Sequence, residues 1–370
     1  MAQWKAYGQD SKSVNIDPVY DTDSTLIPLA LALDNLGTPI AGITDDINGT
    51  TRSTTTPDMG AIEFSISGSP LSGSYTVGTG GEFATINSVG LSLLSLGVSG
   101  PVTFNIVAGT YDEPVALGQV YGASATNTIT FQSEDANADS VIWENTANSS
   151  ASNYVLKLIG TDHITLKNIT FKNQGVNYSQ KIVLSGVLDS VTIDSSKFVG
   201  TVTNNSNSNN YSSVNGYNCE AAGLKIKNST FNDGGGYAIL LSGTSSHQTG
   251  LEISSNTFTN TYGGIYIVNF DSVTVRSNTI VGADMYSEGI YLNSCHGANV
   301  IEDNSIYCPD MIYGIYIQSC QASAGSEATI VNNLISVEDY GIYLNQNNYY
   351  QNMYYNSVKV RDNYALNTYY

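Results

Sequence analysis

In the second half of the chain, apolar and polar positions alternate in short runs and do not recur at helical spacing. A period of two marks strands with one face turned inward. The runs themselves repeat. Gly264-Ile-Tyr266 returns as Gly289-Ile-Tyr291, Gly314-Ile-Tyr316 and Gly341-Ile-Tyr343, in steps of 25, 25 and 27 residues. A second motif, apolar-x-x-(Asn/Ser)-x-apolar, returns from Leu166–Phe171 to Met353–Val358, its starts 22 to 33 residues apart. Such a period predicts a solenoid, whose units bury their apolar faces only against neighbours. Thr, Val, Ile, Tyr and Phe fill the runs, and Asn, Gly, Ser and Asp fill the bends. Each unit therefore reads as one turn of a right-handed parallel β-helix, an all-β fold. About nine to ten turns are expected, roughly 45 Å of rod at the usual strand spacing.

Stacked turns make columns. Asn256, Asn278, Asn304, Asn333 and Asn356 predict an amide ladder at a left-handed bend, a conformation Asn tolerates. Phe171, Phe198, Phe231 and Phe258, continued by Ile280, Ile306, Ile335 and Val358, predict the interior stack. Lys167, Asp194, Lys227, Arg276 and Glu302 share one outward column, with Lys225 and Glu252 one column earlier. Opposite charges on neighbouring turns mostly meet, each exposed pair contributing only about a few tenths of a kcal/mol. Cys295 and Cys320 occupy the same place on adjacent turns, as a buried reduced pair or a disulfide.

The first third differs. Apolar residues at 83, 86, 89, 91, 93, 94 and 96 predict a short amphipathic helix, followed by a strand at Pro101–Val107 and a turn at Ala108–Tyr111. The run Tyr75-Thr-Val-Gly-Thr-Gly-Gly-Glu-Phe-Ala-Thr-Ile86, then Ala108-Gly-Thr-Tyr-Asp-Glu113, resembles the opening segment of parallel β-helix proteins of the pectate-lyase-like superfamily. The resemblance implies that the helix caps the N-terminal end of the solenoid, where a bare sheet would invite edge pairing. Residues 1–66 carry Trp4-Lys-Ala-Tyr-Gly-Gln-Asp10, Asp46-Ile-Asn-Gly-Thr-Thr-Arg52 and Pro57-Asp-Met-Gly-Ala-Ile-Glu-Phe64. These resemble the closing segment of β-helix units in large secreted surface proteins of Bacteroidetes-type bacteria. The expected order is thus a closing-type segment at 1–66, a linker at 67–74, a cap with first strands at 75–115 and the solenoid at 116–370. Met1 to Ala6 lack the apolar stretch of a signal peptide, and Asn363 to Tyr370 carry no closing signature. Both fit a piece of a tandem array cut out of register with its units.

Charge narrows the function. Formal net charge is −19, with 13 Lys plus Arg and 12% charged residues. Arg52, Arg276 and Arg361 are the only arginines. No basic stripe exists for nucleic acid, and an anionic membrane would repel the chain. No apolar run approaches the ~18 residues of a span, so no membrane insertion is expected. The acidity suits a secreted or bacterial cell-surface location. The cysteines form no CxxC pair of a zinc site.

The superfamily includes pectate lyases, pectin esterases and polygalacturonases. The resemblance implies an arginine or lysine base with calcium on aspartates for a lyase, paired aspartates for an esterase, and adjacent aspartates with Gly-His-Gly for a polygalacturonase. Arg276 sits in the charge ladder, and Cys295-His-Gly297 only partly matches the last motif. One column keeps chemistry open. Asp271 and His296 fall on neighbouring turns, as an acid/base pair would. Asp284 and Glu288 lie in the bend of the same turn as His296 and offer a second carboxylate. His163 and His247 read as incidental. No cofactor is expected; Asp45, Asp46 and Asn48 could bind calcium, although the run lacks the first aspartate and last glutamate of an EF-hand loop.

Tyr349, Tyr350, Tyr354, Tyr355, Tyr364, Tyr369 and Tyr370 crowd the C-terminal end, with Trp4 and Tyr7 at the other. Tyrosines suit both sugar stacking and docking. The expected function is a non-catalytic structural or adhesive module, docking head-to-tail with like modules through these residues. The alternative is a carbohydrate-active or glycan-binding protein, a polysaccharide hydrolase or lyase if an enzyme, using Asp271 and His296.

Overall fold

The computed structural model describes residues 13–14, 16–200, 208–282, 285 and 287–368. They form a right-handed parallel β-helix, in which one 11-stranded sheet runs along the rod and an 18-stranded sheet wraps its remaining faces. Tyr266 pairs with Tyr291, Tyr291 with Tyr316, and Tyr316 with Tyr343. One sequence repeat is therefore one turn. The strand count exceeds nine to ten because Leu71–Val77 and Val98–Ile106 join the same sheet, Phe104 pairing with Tyr75 on one side and Phe131 on the other. This also corrects the expected linker at 67–74, since its last four residues belong to the first strand.

The core is a stack of rings. Phe171, Phe198, Phe231 and Phe258 are fully buried. Successive centroids lie 5.5, 4.5 and 4.9 Å apart with interplanar angles of 18°, 2° and 15°. Trp143, Phe131 and Phe104 extend the stack toward the cap. Each ring shields its neighbours from water, so stability accumulates turn by turn.

The amide ladder forms at a corner. Asn256 Nδ2 donates to Asn278 Oδ1 at 3.1 Å, Asn278 to Asn304 at 3.0 Å, Asn304 to Asn333 at 3.0 Å and Asn333 to Asn356 at 2.9 Å. The left-handed residue is not the ladder asparagine but the one before it: Ser255, Ser277, Asp303, Asn332 and Tyr355, with φ of 57°, 55°, 56°, 56° and 54°. That turn swings the following amide into the corner, where Asn256, Asn278, Asn304 and Asn333 are buried. Buried amides need partners on all sides, and the ladder provides them.

The Gly of Gly-Ile-Tyr is a close approach between turns. A Cβ on Gly289 would sit 2.6 Å from the Gly314 carbonyl oxygen, and one on Gly314 would sit 2.6 Å from that of Gly341. Gly289→Ala should lower stability by about 2 to 3 kcal/mol through overpacking. Ser336→Ala, on the half-buried outer face, should stay within about 0.5 kcal/mol. Urea unfolding of both variants against the parent measures the difference.

The helix α1 (Ile86–Leu96) closes the N-terminal end and buries Ile86, Val89 and Leu93. Thr85 accepts the Ser88 N–H at 3.0 Å, and Ser88 Oγ accepts the Thr85 N–H at 3.3 Å. The Glu113 carboxylate takes the Ile86 and Asn87 N–H groups, each at 3.0 Å. An anion there also suits the positive end of the helix dipole.

The described part of the closing-type segment rests on this cap, at the N-terminal end of its own solenoid. Ser95 Oγ donates to the Leu29 carbonyl at 2.6 Å, and the 3₁₀ turn Leu31–Leu33 lies against α1. Carboxylates organise the segment. Asp58 accepts N–H groups from Asn35 and Phe64, Asp34 accepts from Ile66, and Arg52 pairs with Glu63 at 2.8 Å. Burial raises the Asp58 carboxyl above the usual carboxylate range.

Candidate functional surfaces

Asp271 lies beside imidazoles, but chiefly His247. His247 Nδ1 stands 2.9 Å from Asp271 Oδ1. His296 meets the same oxygen only through its backbone N–H, at 3.0 Å. The two imidazole rings stack at 5.0 Å and 9°. His296 Nδ1 accepts the Gln321 N–H at 3.2 Å, which leaves the proton of the neutral ring on Nε2. His247, read as incidental, is thus the side-chain partner of Asp271. Its bend, Gly243–His247, is longer than a plain repeat, and such insertions hide alignment from column reading.

Glu288 does not join this group. It begins the strand Glu288–Asn293, whereas His296 lies beyond the strand's other end, roughly 20 Å away at strand rise. No carboxylate pair suited to glycoside hydrolysis is assembled from Glu288 and Asp271. Glu288 Oε2 instead accepts the Tyr237 hydroxyl at 2.6 Å and is bonded to the Ser287 hydroxyl. Burial, then the Glu288 charge, pushes the Tyr237 phenol above its ordinary pKa.

Glu288 opens a tyrosine surface. Ile265, Ile290, Ile315 and Ile342 point inward and are buried, so the Tyr after each points outward. Tyr266, Tyr291, Tyr316 and Tyr343 form one outer column, with centroids 4.5 to 4.9 Å apart. Tyr313, Tyr340 and Tyr364 form a second column beside it. Asn293, Gln318 and Asn345 flank the first column in register. Tyr291 donates to Gln318 Oε1 at 2.7 Å, and Asn345 Nδ2 donates to the Tyr316 oxygen at 2.8 Å. The Ile-Tyr-Ile alternation carried this signal, although the motif first reads as a fold marker alone.

The two ends are apolar. At the last described turn, Tyr349, Tyr350, Tyr354 and Tyr355 are 52 to 87% exposed, and Ile342, Met353, Val358 and Leu366 line a hollow of 400 Å³. At the other end, the segment on the cap exposes Leu26, Leu36, Ile40, Ile43 and Ile47. A hollow of 720 Å³ lies there among Tyr20, Leu26, Ile27, Leu33, Ile47 and Met59. Trp4, Tyr7, Asp284, Tyr369 and Tyr370 lie outside the described residues.

Other polar residues have structural partners. Asp46 Oδ1 accepts the N–H groups of Asn48 and Thr50, each at 2.8 Å, and Oδ2 accepts that of Glu63 at 3.0 Å. Asp45 forms an isolated bridge with Thr51. Of the expected charge pairs, Lys227–Asp194 forms at 3.5 Å, whereas Arg276, expected to meet Glu302 in its own column, crosses to Glu252 at 2.8 Å. All four cysteines are free and buried. Cys295 donates its N–H to Cys320 Sγ at 3.3 Å, and the Cys308 and Met285 sulfurs are 3.5 Å apart. Burial pushes the Cys219 and Cys308 thiols up to about 12. Among the described residues, no group of three or more His, Cys, Asp or Glu side chains is placed to hold a metal ion.

The family described as periplasmic copper-binding protein (NosD) matches residues 163–370, more than half of the chain. The chain belongs to the NosD family. The match starts at His163, where the regular turns begin, and covers the whole Tyr-rich part of the rod. No curated protein matches this NosD-family chain. Among solved structures it is similar to a GH136 lacto-N-biosidase from Eubacterium ramulus, at TM-score 0.44 and 8% identity over 80% of this chain and 68% of that one. It is also similar to a pectin methylesterase from Aspergillus niger, at TM-score 0.40 and 13% identity over 78% and 86%. A third is the rice weevil pectin methyl esterase, at TM-score 0.34 and 15% identity over 78% and 91%. No helix among the described residues is long and apolar enough to cross a membrane.

Proposed function

We propose that this NosD-family β-helix is a non-catalytic structural module of a secreted or cell-surface protein that docks head-to-tail with like modules. The observation that carries this reading is the pair of apolar ends. The segment on α1 uses one side for its own cap and leaves Ile40, Ile43 and Ile47 at 64, 54 and 76% exposure on another. The last described turn exposes interior-type side chains such as Leu366, and no further strand pairs with it among the described residues. Burying either end against water would be favourable, and each supplies what the other lacks. Contacts of this head-to-tail kind do not close, so they build rods.

The family's name raises copper. The chain's soft ligands do not suit it. Among the described residues the Cys295/Cys320 and Cys308/Met285 pairs are buried without a third ligand, and burial raises the Cys295 and Cys308 thiols so that they stay protonated. His296 accepts the Gln321 N–H on Nδ1, so its neutral ring keeps the proton on Nε2, and His247, oriented through Nδ1 by Asp271, offers a single nitrogen where a copper site needs several ligands.

Light scattering after size exclusion tests docking. The expected result is mass that grows with concentration, with Leu366→Asp and Ile43→Asp each shifting the population to monomer while the melting curve shows a folded rod. A strict monomer at the highest concentration, or assembly untouched by both variants, would sink the proposal.

A further inference from the structure

The outer tyrosine ribbon runs along the side of the rod and meets the last described turn only at Tyr364, so head-to-tail docking leaves Tyr266 to Tyr343 free. It is flat, repeated and nearly uncharged. Each turn from Tyr313 to Asn345 adds the same three side chains across the strand: a tyrosine, a second tyrosine three residues on, and an amide two residues beyond that. Neighbouring turns place the next set about 4.8 Å further along the rod. Among the described residues the charges nearest the ribbon's edge are already engaged: Glu288 accepts the Tyr237 hydroxyl, and Asp339, next to Tyr340, accepts from the Asn363 amide.

The rings are held in place. Tyr313 touches Tyr316 at 4.8 Å, and Tyr340 touches Tyr343 at 5.2 Å, so the two columns brace each other sideways. Tyr313 stacks on Tyr340 at 5.1 Å and 15°. Tyr316 is turned 74° to both Tyr291 and Tyr343. Tyr313, Tyr316, Tyr340 and Tyr343 are half-buried by this packing. Docking on such a surface costs little side-chain entropy, because the rotamers are already chosen.

A flat site that repeats along one axis recognises a ligand that repeats along one axis. Amides and phenols favour a partner rich in hydroxyls, and ring faces and edges favour one with C–H faces. A net charge of −19 disfavours an acidic polymer, and the face carries no Lys or Arg for phosphate or carboxylate. We propose that this ribbon binds a linear neutral polysaccharide, laid along the rod with sugar C–H faces on the tyrosines and hydroxyls on Gln318 and Asn345. An extended β-linked glycan advances by about one sugar per turn of the rod. The surface reads as an adhesion track that holds an intact polymer, with Glu288 at one end tied to Tyr237.

The test is depletion of the purified full chain by microcrystalline cellulose, chitin particles and insoluble β-1,3-glucan, with calcium-gelled polygalacturonate as the acidic comparison. Retention on at least one neutral glycan and not on polygalacturonate is expected. Tyr316→Ala and Tyr340→Ala should each weaken that retention about tenfold, whereas Tyr340→Phe, which keeps the ring, should stay within about threefold. Melting curves establish that each variant is folded. Retention on none of the three neutral glycans overturns the proposal, as does retention on polygalacturonate alone or equal retention by both Ala variants. Ribbon variants that change self-association and not glycan retention would assign the face to a second copy. Since Leu366→Asp leaves the ribbon intact, loss of assembly and loss of glycan binding are separable.

Discussion

Lys181→Met should raise stability by several kcal/mol at pH 7 and flatten the rise of stability with pH. Lys181 is fully buried, and its Nζ has no hydrogen-bond partner among the described residues. Its place explains how it got there. Asn145 and Asn173 are in register at an inner corner, each tied to neighbouring carbonyls by its amide. Gly200 follows Val199, the partner of Lys172, and so continues that column without a side chain. A Cβ on Gly200 would lie 2.9 Å from Lys181 Nζ, so the lysine fills the space an asparagine would take. It fills the space without making the bonds.

Desolvation therefore drives the Lys181 pKa from 10.5 down to about 7. That displacement is equivalent to about 5 kcal/mol. The sign follows from proton counting. Between pH 7 and 10.5 the unfolded chain holds a proton on this amine that the folded chain has released, so stability rises with pH, by about 1.4 kcal/mol per pH unit. Below pH 7 the amine is charged in both states and the full penalty remains. Methionine has similar length and no charge, so it removes both penalty and slope. Urea unfolding of parent and variant at pH 6, 7, 8 and 9 measures this. Parallel curves for the two proteins would show that water or another group already satisfies the amine.

How much of this could be read beforehand depends on whether a feature repeats. The turn length, the register, the interior Phe stack and the Asn column all repeat, and each pairing from Gly264 to Gly341 follows from the motif. Even there the left-handed residue lies one position early, at Ser255 and its equivalents, since the buried amide needs a swung-in corner and not a left-handed backbone of its own. Single features were hidden. His247 meets Asp271 because an irregular bend carries it there, and bend lengths vary without a pattern in the residues. Lys181 precedes an ordinary strand and reads as a surface lysine, because only the three-dimensional corner reveals the empty place at Gly200. The outward tyrosines were visible in the Ile-Tyr-Ile alternation, but their assembly into two braced columns needs the register of Tyr313 with Tyr340.

Asn304→Ala should lower stability by about 4 kcal/mol and split the rod's unfolding. Asn304 Oδ1 accepts both the backbone and the side-chain N–H of Asn278, each at 3.0 Å. Its Nδ2 donates to the Val275 carbonyl and to Asn333 Oδ1, also at 3.0 Å. Alanine leaves those four buried or half-buried groups without their partner, at about 1 to 3 kcal/mol each before water relieves some of them. A solenoid passes stability only between neighbours, so the loss is concentrated at one junction. The turns after it, from Ser305 to Thr368, should then open at a lower free energy than the turns around the Phe stack. Hydrogen exchange resolved along the chain would show protection falling on the C-terminal side of Asn304 and persisting between Phe104 and Phe258. Asn356→Ala is the comparison. Asn356 is half-buried and ends the ladder, accepting from Asn333 and donating to the Ile330 carbonyl at 2.8 Å. Among the described residues it holds no later amide, so its loss should cost about half as much. Equal costs at both positions would mean that the amides act as separate corner braces, and that the rod gains nothing from their connection.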